Sequence, residues 1–357
     1  MRSQGRVTMV AIYAMDSMKG GIKGTFMDFA GGISSMIYDS GSKHPLCDPA
    51  RAVIYWSGED TRTGRGHNPW RAYQTVASQA NHMTARLSKK HIRKYQCSLW
   101  RVGRGQRLKT PEQTADFLDE VGMCLLFACR DIPLPKIYDC AADDADWWAW
   151  KDLLQQGRQA YNGRLVRRKA TLVSMKLLPA FYAAYLTAGG HAMHEEEYYW
   201  GKLGELANRI AQYLERHGPT PVDVLRRAIV SPGKEHTRRF HSALFELQSK
   251  FKIVSVGLED KSWGIRVLDL FVNWVPSKVE RRAENMSRDE AIQRISAAFL
   301  HTAGAVPEAT LHRTFGWSCA ETTRLVDSLV FAGTLAREHV RGDEQVWLVS
   351  PRLTGPV

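Results

Sequence analysis

The chain has 357 residues, 44% apolar and 24% charged, which excludes a mainly disordered protein and fits two or three domains of ordinary size. No stretch approaches the ~18 consecutive apolar residues that cross a bilayer, and the first fourteen residues lack a signal-peptide cleavage site, so the chain reads as cytoplasmic. Its net charge of +12 is concentrated at one end: residues 1–104 hold 16 Lys and Arg against 6 Asp and Glu, and the rest hold 33 against 31. A basic segment favours polyanions, of which nucleic acid is the commonest. Six Cys without paired spacing read as buried thiols of a reducing compartment.

In the first third, residues 8–15 and 52–56 have the β-branched and aromatic content of strands. Gly31, Gly32, Gly41, Pro45 and Pro49 interrupt the chain between them, and 57–69 is a polar Gly/Arg-rich loop. A helical pattern runs from Trp70 to about Cys97 and ends in the basic run 89–94. This third has no assignable fold. The charge break near residue 105, and seven of the eleven Met, suggest a separable segment with Met83 as an alternative start.

At Thr110 the signals sharpen. Thr110, Pro111 and Gln113 stand as N-cap, first helical residue and capping-box partner. Ala115, Phe117, Leu118, Val121 and Leu125 make an apolar face, and Pro133 and Pro135 stop the element. A helix over 146–159, a turn at Asn162-Gly163, short strands near 165–167 and 171–173 and an apolar helix from Ser174 follow.

Residues 200–350 repeat themselves. A shift of 86 residues aligns eleven identities without a gap, from Ala211/Ala297 through Gly218/Gly304, Pro221/Pro307 and Arg238/Arg324 to Phe245/Phe331. Each copy reads as three helices and a β-hairpin. The third helices span 235–250 and 320–332, and Ser287 with Glu290 and Ser318 with Glu321 supply helix starts. That is the pattern of a winged helix-turn-helix, twice in tandem. The fold class is therefore mainly α with small β-hairpins: tandem winged helix-turn-helix units after an unassigned basic N-terminal segment. The expected limits are 1–104, 105–198, 199–280 and 285–352.

In such a unit the start of the third helix meets the base edges. Thr237, Arg238, Arg239 and His241 occupy that place in the first copy, above a buried face of Phe240, Leu244, Phe245 and Leu247. Thr323 and Arg324 occupy it in the second, with less positive charge. Arg164, Arg167, Arg168 and Lys169 form a dense basic hairpin suited to phosphate. Trp148 and Trp150, beside Trp147 and Lys151, have the chemistry to stack on an extruded base. His191 and His194 lack the spacing of a metal motif, and the Cys lack zinc-ligand spacing, so no metal or other cofactor is expected.

The stretch from Phe117 to Phe127 (FLDEVGMCLLF) resembles the AlkZ-related branch of the YcaQ-type winged-helix DNA glycosylases. So do Ile132-Pro-Leu-Pro135, Trp147-Trp-Ala-Trp-Lys-Asp152, Tyr161-Asn-Gly163 and Leu172-Val-Ser174. The resemblance covers about residues 105–350. It implies three winged-helix units cupping double-stranded DNA and, in catalytic members, metal-free excision of alkylated bases or unhooking of crosslinks. Those members carry a Gln-hydrophobic-Gln or Gln-hydrophobic-Asp triplet that holds a water at the glycosidic carbon. No Gln here begins one, and the corresponding stretch reads Gly122-Met123-Cys124. Asp119 and Glu120 are the nearest acids that can replace it. DNA binding therefore transfers better than catalysis. The alternatives are a non-catalytic winged-helix regulator and a protein-interaction scaffold.

Overall fold

A computed structural model describes residues 87–259 and 264–354 and, as backbone, two short strands nearer the N-terminus. The chain divides into two compact units, Met1–Trp70 and Arg71–Val357. In the smaller, β1 (Lys23–Met27) pairs antiparallel with β2 (Ile33–Ile37), Lys23 opposite Ile37. The strands expected at 8–15 and 52–56 lie outside the described residues.

The larger unit opens with α1 (Lys89–Leu99), where Ser88 Oγ accepts from the His91 N–H. The basic run thus begins this helix, whereas the sequence pattern had placed it at a helix end. In α2 (Pro111–Val121), Thr110 Oγ1 accepts from Gln113 N at 3.3 Å, and Gln113 Oε1 accepts from Lys109 N at 2.9 Å. The helix stops at Gly122, whose φ of 77° is open to glycine, well before Pro133. Leu125, expected on its apolar face, therefore sits in β3 (Met123–Leu125).

After α3 (Ile137–Cys140) and α4 (Trp147–Gln156), β4 (Ala160–Val166) and β5 (Lys169–Ser174) complete an antiparallel sheet in the order β3–β5–β4. The chain turns at Arg167-Arg168, both at positive φ (45° and 59°), as a two-residue hairpin requires. Asn162-Gly163, expected to be the turn, lies inside β4. Glycine is needed there because a Cβ would stand 2.2 Å from the Tyr161 ring. Next come α5 (Leu178–Leu186), apolar and deeply buried, and α6 (His194–Tyr199).

The repeat emerges element by element. The first copy is α7 (Glu205–His217), β6 (Thr220–Pro221), α8 (Val222–Ile229), α9 (Lys234–Ser249), β7 (Ile253–Glu259) and β8 (Ile265–Leu270), closed by α10 (Phe271–Trp274). After α11 (Ser277–Glu284) the second copy is α12 (Arg288–Ala303), β9 (Ala305–Pro307), α13 (Ala309–Phe315), α14 (Cys319–Phe331), β10 (Ala336–His339) and β11 (Val346–Val349), closed by α15 (Pro351–Thr354). Each copy carries a three-stranded antiparallel sheet, β6–β8–β7 and β9–β11–β10. Ser287 and Ser318 cap α12 and α14 through the N–H groups of Glu290 and Glu321, as the sequence indicated. The described chain is mainly helical with small antiparallel sheets. No helix in it is long and apolar enough to cross a membrane.

One core runs through the larger unit: Phe181 and Tyr182 of α5 cluster with Phe251, Phe271 and Phe299. α1 belongs to this unit although it precedes residue 105. Tyr95 Oη, Gln96 Nε2 and Trp100 Nε1 donate to the carbonyls of His301, Ala303 and Thr302 at 2.8, 2.8 and 2.9 Å. Carbonyls of a last helical turn have no partner within their own helix, and α1 supplies it for α12. Gly304 admits the approach, since a Cβ there would lie 2.7 Å from the Tyr95 ring. Leu87 and Ile92 are buried with Ala305, Val340 and Val349. The basic segment expected over 1–104 is therefore not one piece. Cys124 and Cys140 are buried as expected, whereas Cys97 and Cys319 are exposed.

Candidate nucleic-acid interface

α9 turns Phe240, Ala243, Leu244 and Leu247 inward, which leaves Arg238, His241, Ser242 and Phe245 to share the opposite side at spacings of three and four. Arg238, Arg239 and His241 are exposed, and Thr237 is half-buried. The arginines are already engaged. Glu235 accepts from Arg238 Nε and Nη2 at 2.9 and 2.8 Å and from Arg239 Nε at 3.0 Å. Arg238 first, and Arg239 after it, hold the Glu235 carboxyl down at about 2. It stays ionised through the whole neutral range.

Further along this face the β4–β5 hairpin arrives. The guanidinium carbons of Arg164 and Arg168 each lie 4.6 Å from the Phe245 ring centroid. Phe245 is thus half-buried beneath two cations, where the sequence pattern had assigned it to the buried face. Arg164, Arg167, Arg168 and Lys169 meet His241, Ser242 and Phe245 around an open basin of about 580 Å³. Burial first, and the nearby Arg266 after it, lower the pKa of Arg164. The structure brings the expected hairpin cations to His241 of the expected α9 group, far apart in sequence, whereas Thr237, Arg238 and Arg239 do not line the basin.

The second copy is arranged differently. Thr323 and Arg324 are exposed at the start of α14, and Arg324 lines a small cleft of about 110 Å³ beside Asp289 and Gln293. Glu321 accepts from Arg288 Nε at 2.6 Å, and Arg288 also donates to the Ala184 carbonyl at 2.8 Å. The start of this helix is thereby fastened to α12 and α5. Phe331, the counterpart of Phe245, is 95% exposed.

The tryptophans separate. Trp148 is 50% exposed, 5.8 Å from the Phe127 ring, with Lys151 Nζ 3.9 Å from its centroid. Trp150, expected to stack on a base, is 4% exposed and packs with Phe117, Leu118 and Leu154, because it lies on the inward side of α4. Its part is core packing. Sequence reasoning missed the cover that Arg164 and Arg168 place on Phe245, and the near-buried Lys151–Asp152 pair at 2.5 Å. A Lys-Asp pair after three tryptophans was the only available signal for the latter.

The expected acids stand apart from the basin. Asp119 accepts from Ser174 Oγ at 2.8 Å and pairs with Lys176 at 2.7 Å, while Glu120 pairs with Arg101 at 2.9 Å. Neither lines the basin, nor a cleft of about 1050 Å³ bordered by α1, the 131–147 segment and β9–α13. At the triplet position Met123 and Cys124 are fully buried, and the Gly122 carbonyl accepts from Ser174 N at 2.9 Å. Burial pushes the Cys124 thiol well up. Among the described residues one group combines metal-ligand types: His194 Nε2 lies 3.2 Å from Glu195 and 3.5 Å from Glu215, while Nδ1 meets Asn208 Oδ1 at 2.8 Å. It links α6 to α7.

A family model described as AlkZ related matches residues 108–316, more than half of the chain. Among solved structures the chain is similar to the Streptomyces sahachiroi DNA glycosylase AlkZ, with 12% identity and a TM-score of 0.51. The similarity covers 76% of this chain and 72% of that one. At such identity the likeness is one of fold. No curated protein matches in sequence.

Proposed function

The chain belongs to the AlkZ-related family, and on that premise we propose that it binds double-stranded DNA through tandem winged helices. The proposed units are 105–198, 199–280 and 285–352. α9 is the helix offered to the major groove, with Thr237, Arg238, Arg239 and His241 at its leading turns, and the β4–β5 hairpin tracks the adjacent phosphates. One observation carries the reading: Arg164, Arg167, Arg168 and Lys169 converge on the exposed face of α9 in a single basin. Thr323 and Arg324 add a weaker second contact.

The partner is duplex DNA, in line with the alkylated or crosslinked DNA implied by the family resemblance, and the setting is cytoplasmic. The solved relative is a DNA glycosylase. The triplet route to excision lacks its residues, because buried Met123 and Cys124 offer no exposed acceptor for a catalytic water. The same observation favours a second reading, a non-catalytic DNA-binding regulator.

The test is fluorescence anisotropy of a labelled duplex over a salt series. Four basin cations on phosphate should make log K fall with log[salt] at a slope of about 3–4. A flat salt response would return the protein to the scaffold class. Tighter binding of alkylated or crosslinked duplex than of intact DNA separates lesion recognition from regulation.

A further inference from the structure

His194 opens α6 and is only 2% exposed. A buried imidazole needs a partner at each ring nitrogen. Nδ1 has one, Asn208 Oδ1 at 2.8 Å. An amide oxygen only accepts, so in the neutral ring Nδ1 carries the proton and Nε2 keeps its lone pair. Nε2 faces two carboxylates, Glu195 Oε1 at 3.2 Å and Glu215 Oε2 at 3.5 Å, and makes a hydrogen bond with neither.

Three electron-rich atoms thus converge, all within 4.8 Å of one another. A cation among them resolves the conflict, and the separations suit a metal ion. Ligand atoms about 2.0–2.1 Å from a tetrahedral ion stand about 3.3 Å apart, close to both distances from Nε2. Asn208 and Glu215 lie about two turns apart on α7, so one helix both orients the ring and supplies a carboxylate.

We propose that His194, Glu195 and Glu215 bind a divalent transition-metal ion of the zinc type, which clasps α6 to α7. The imidazole nitrogen selects against Mg²⁺ and Ca²⁺, which take oxygen ligands. Both carboxylate side chains are nearly half exposed, so water reaches the fourth position. The ion cancels the charge of two carboxylates held at a buried ring. α7 shares its core with α9 through Leu214, Phe240 and Leu247, so the clasp steadies the first copy. The expectation of no metal came from spacing along the chain, whereas these ligands meet through the packing of two helices. None of the three lines the α9 basin, and the site does not depend on duplex binding.

The experiment titrates ZnCl₂ into the full, tag-free, chelator-stripped chain by isothermal calorimetry. The wild type should bind one equivalent more than the Glu195→Gln/Glu215→Gln double variant, a comparison that cancels zinc taken up elsewhere. Co²⁺ should give the wild type the visible d–d absorption of a four-coordinate nitrogen–oxygen site, without a thiolate charge-transfer band. The double variant should lack that absorption. Asn208→Ala should weaken the ion about 10–100-fold, the usual effect of removing the partner of a metal-bound imidazole. Glu195 and Glu215 are exposed, so the double variant keeps the test decisive if Asn208→Ala does not fold. Equal stoichiometry in wild type and double variant, or a Co²⁺ spectrum of thiolate ligation alone, overturns the site. The cluster would then be a protonated imidazole between two carboxylates.

Discussion

Replacing Arg238 and Arg239 together by Gln tests whether α9 lies on the DNA. Each lost phosphate contact flattens the slope of log K against log[salt] by about 0.9, so the pair should flatten it by about 1.8. Salt rises fourfold between 50 and 200 mM, and over that interval wild-type affinity should fall about twelvefold more than that of the double variant. The structure adds a correction. Glu235 binds both guanidinium groups and stays ionised, with its carboxyl at about 2, so the trio presents one net charge and not two. Glu235→Gln should therefore strengthen low-salt binding and steepen the slope, opposite in sign to the arginine changes. All three side chains are exposed, and surface pairs of this kind add little to stability, so melting curves should hold. An unchanged slope in the double variant, with the fold intact by circular dichroism, would remove the first repeat from the interface.

Single-turnover assays for abasic sites on alkylated duplexes should show no excision above background. Robust product abolished by Glu120→Gln would restore that acid to a catalytic role, whereas product surviving it would direct attention to the Trp147–Trp150 region. A chain beginning at Met83 keeps α1 and should melt close to the full chain. One beginning at Gly105 loses three hydrogen bonds to α12, at about 1 kcal/mol each, and should melt lower by about 6–12 °C; equal melting of the two would refute the docking of α1. Burial lowers Lys252 to about 8, below its unfolded value of ~10.4. A cation depressed in this way opposes folding at low pH, so its contribution becomes more favourable as pH rises from about 8 to 10. The Tm of the wild type relative to Lys252→Met should rise across that window, and a constant difference would count against the assignment.

Features governed by neighbours along the chain were legible in the sequence. The caps at Thr110, Ser287 and Ser318 form as read, because a cap involves residues three apart and needs nothing beyond its own turn. The 86-residue repeat reappears in element order because both copies bury the same faces. The misreadings come from contacts across the fold. Asn162-Gly163 has the composition of a hairpin turn, yet Gly163 answers to the Tyr161 ring, and the turn falls on two arginines. The charge break near residue 105 marks a change in composition. It carries no information about the α12 carbonyls that α1 completes from the basic side of that break.

The same distinction bears on the interface. Phe245 and Phe331 occupy equivalent places in two helices of one register, and in sequence nothing separates them. One lies under Arg164 and Arg168, and the other is almost wholly bare. The difference comes from the β4–β5 hairpin, which docks on α9 and has no counterpart on the described face of Phe331. A helix with two arginines already bound by Glu235 offers a duplex little net charge by itself. With Arg164, Arg167, Arg168 and Lys169 set beside it, the same helix faces DNA with a cationic basin. The repeat supplies two similar scaffolds, and the neighbouring hairpin is what distinguishes the proposed binding copy from the other.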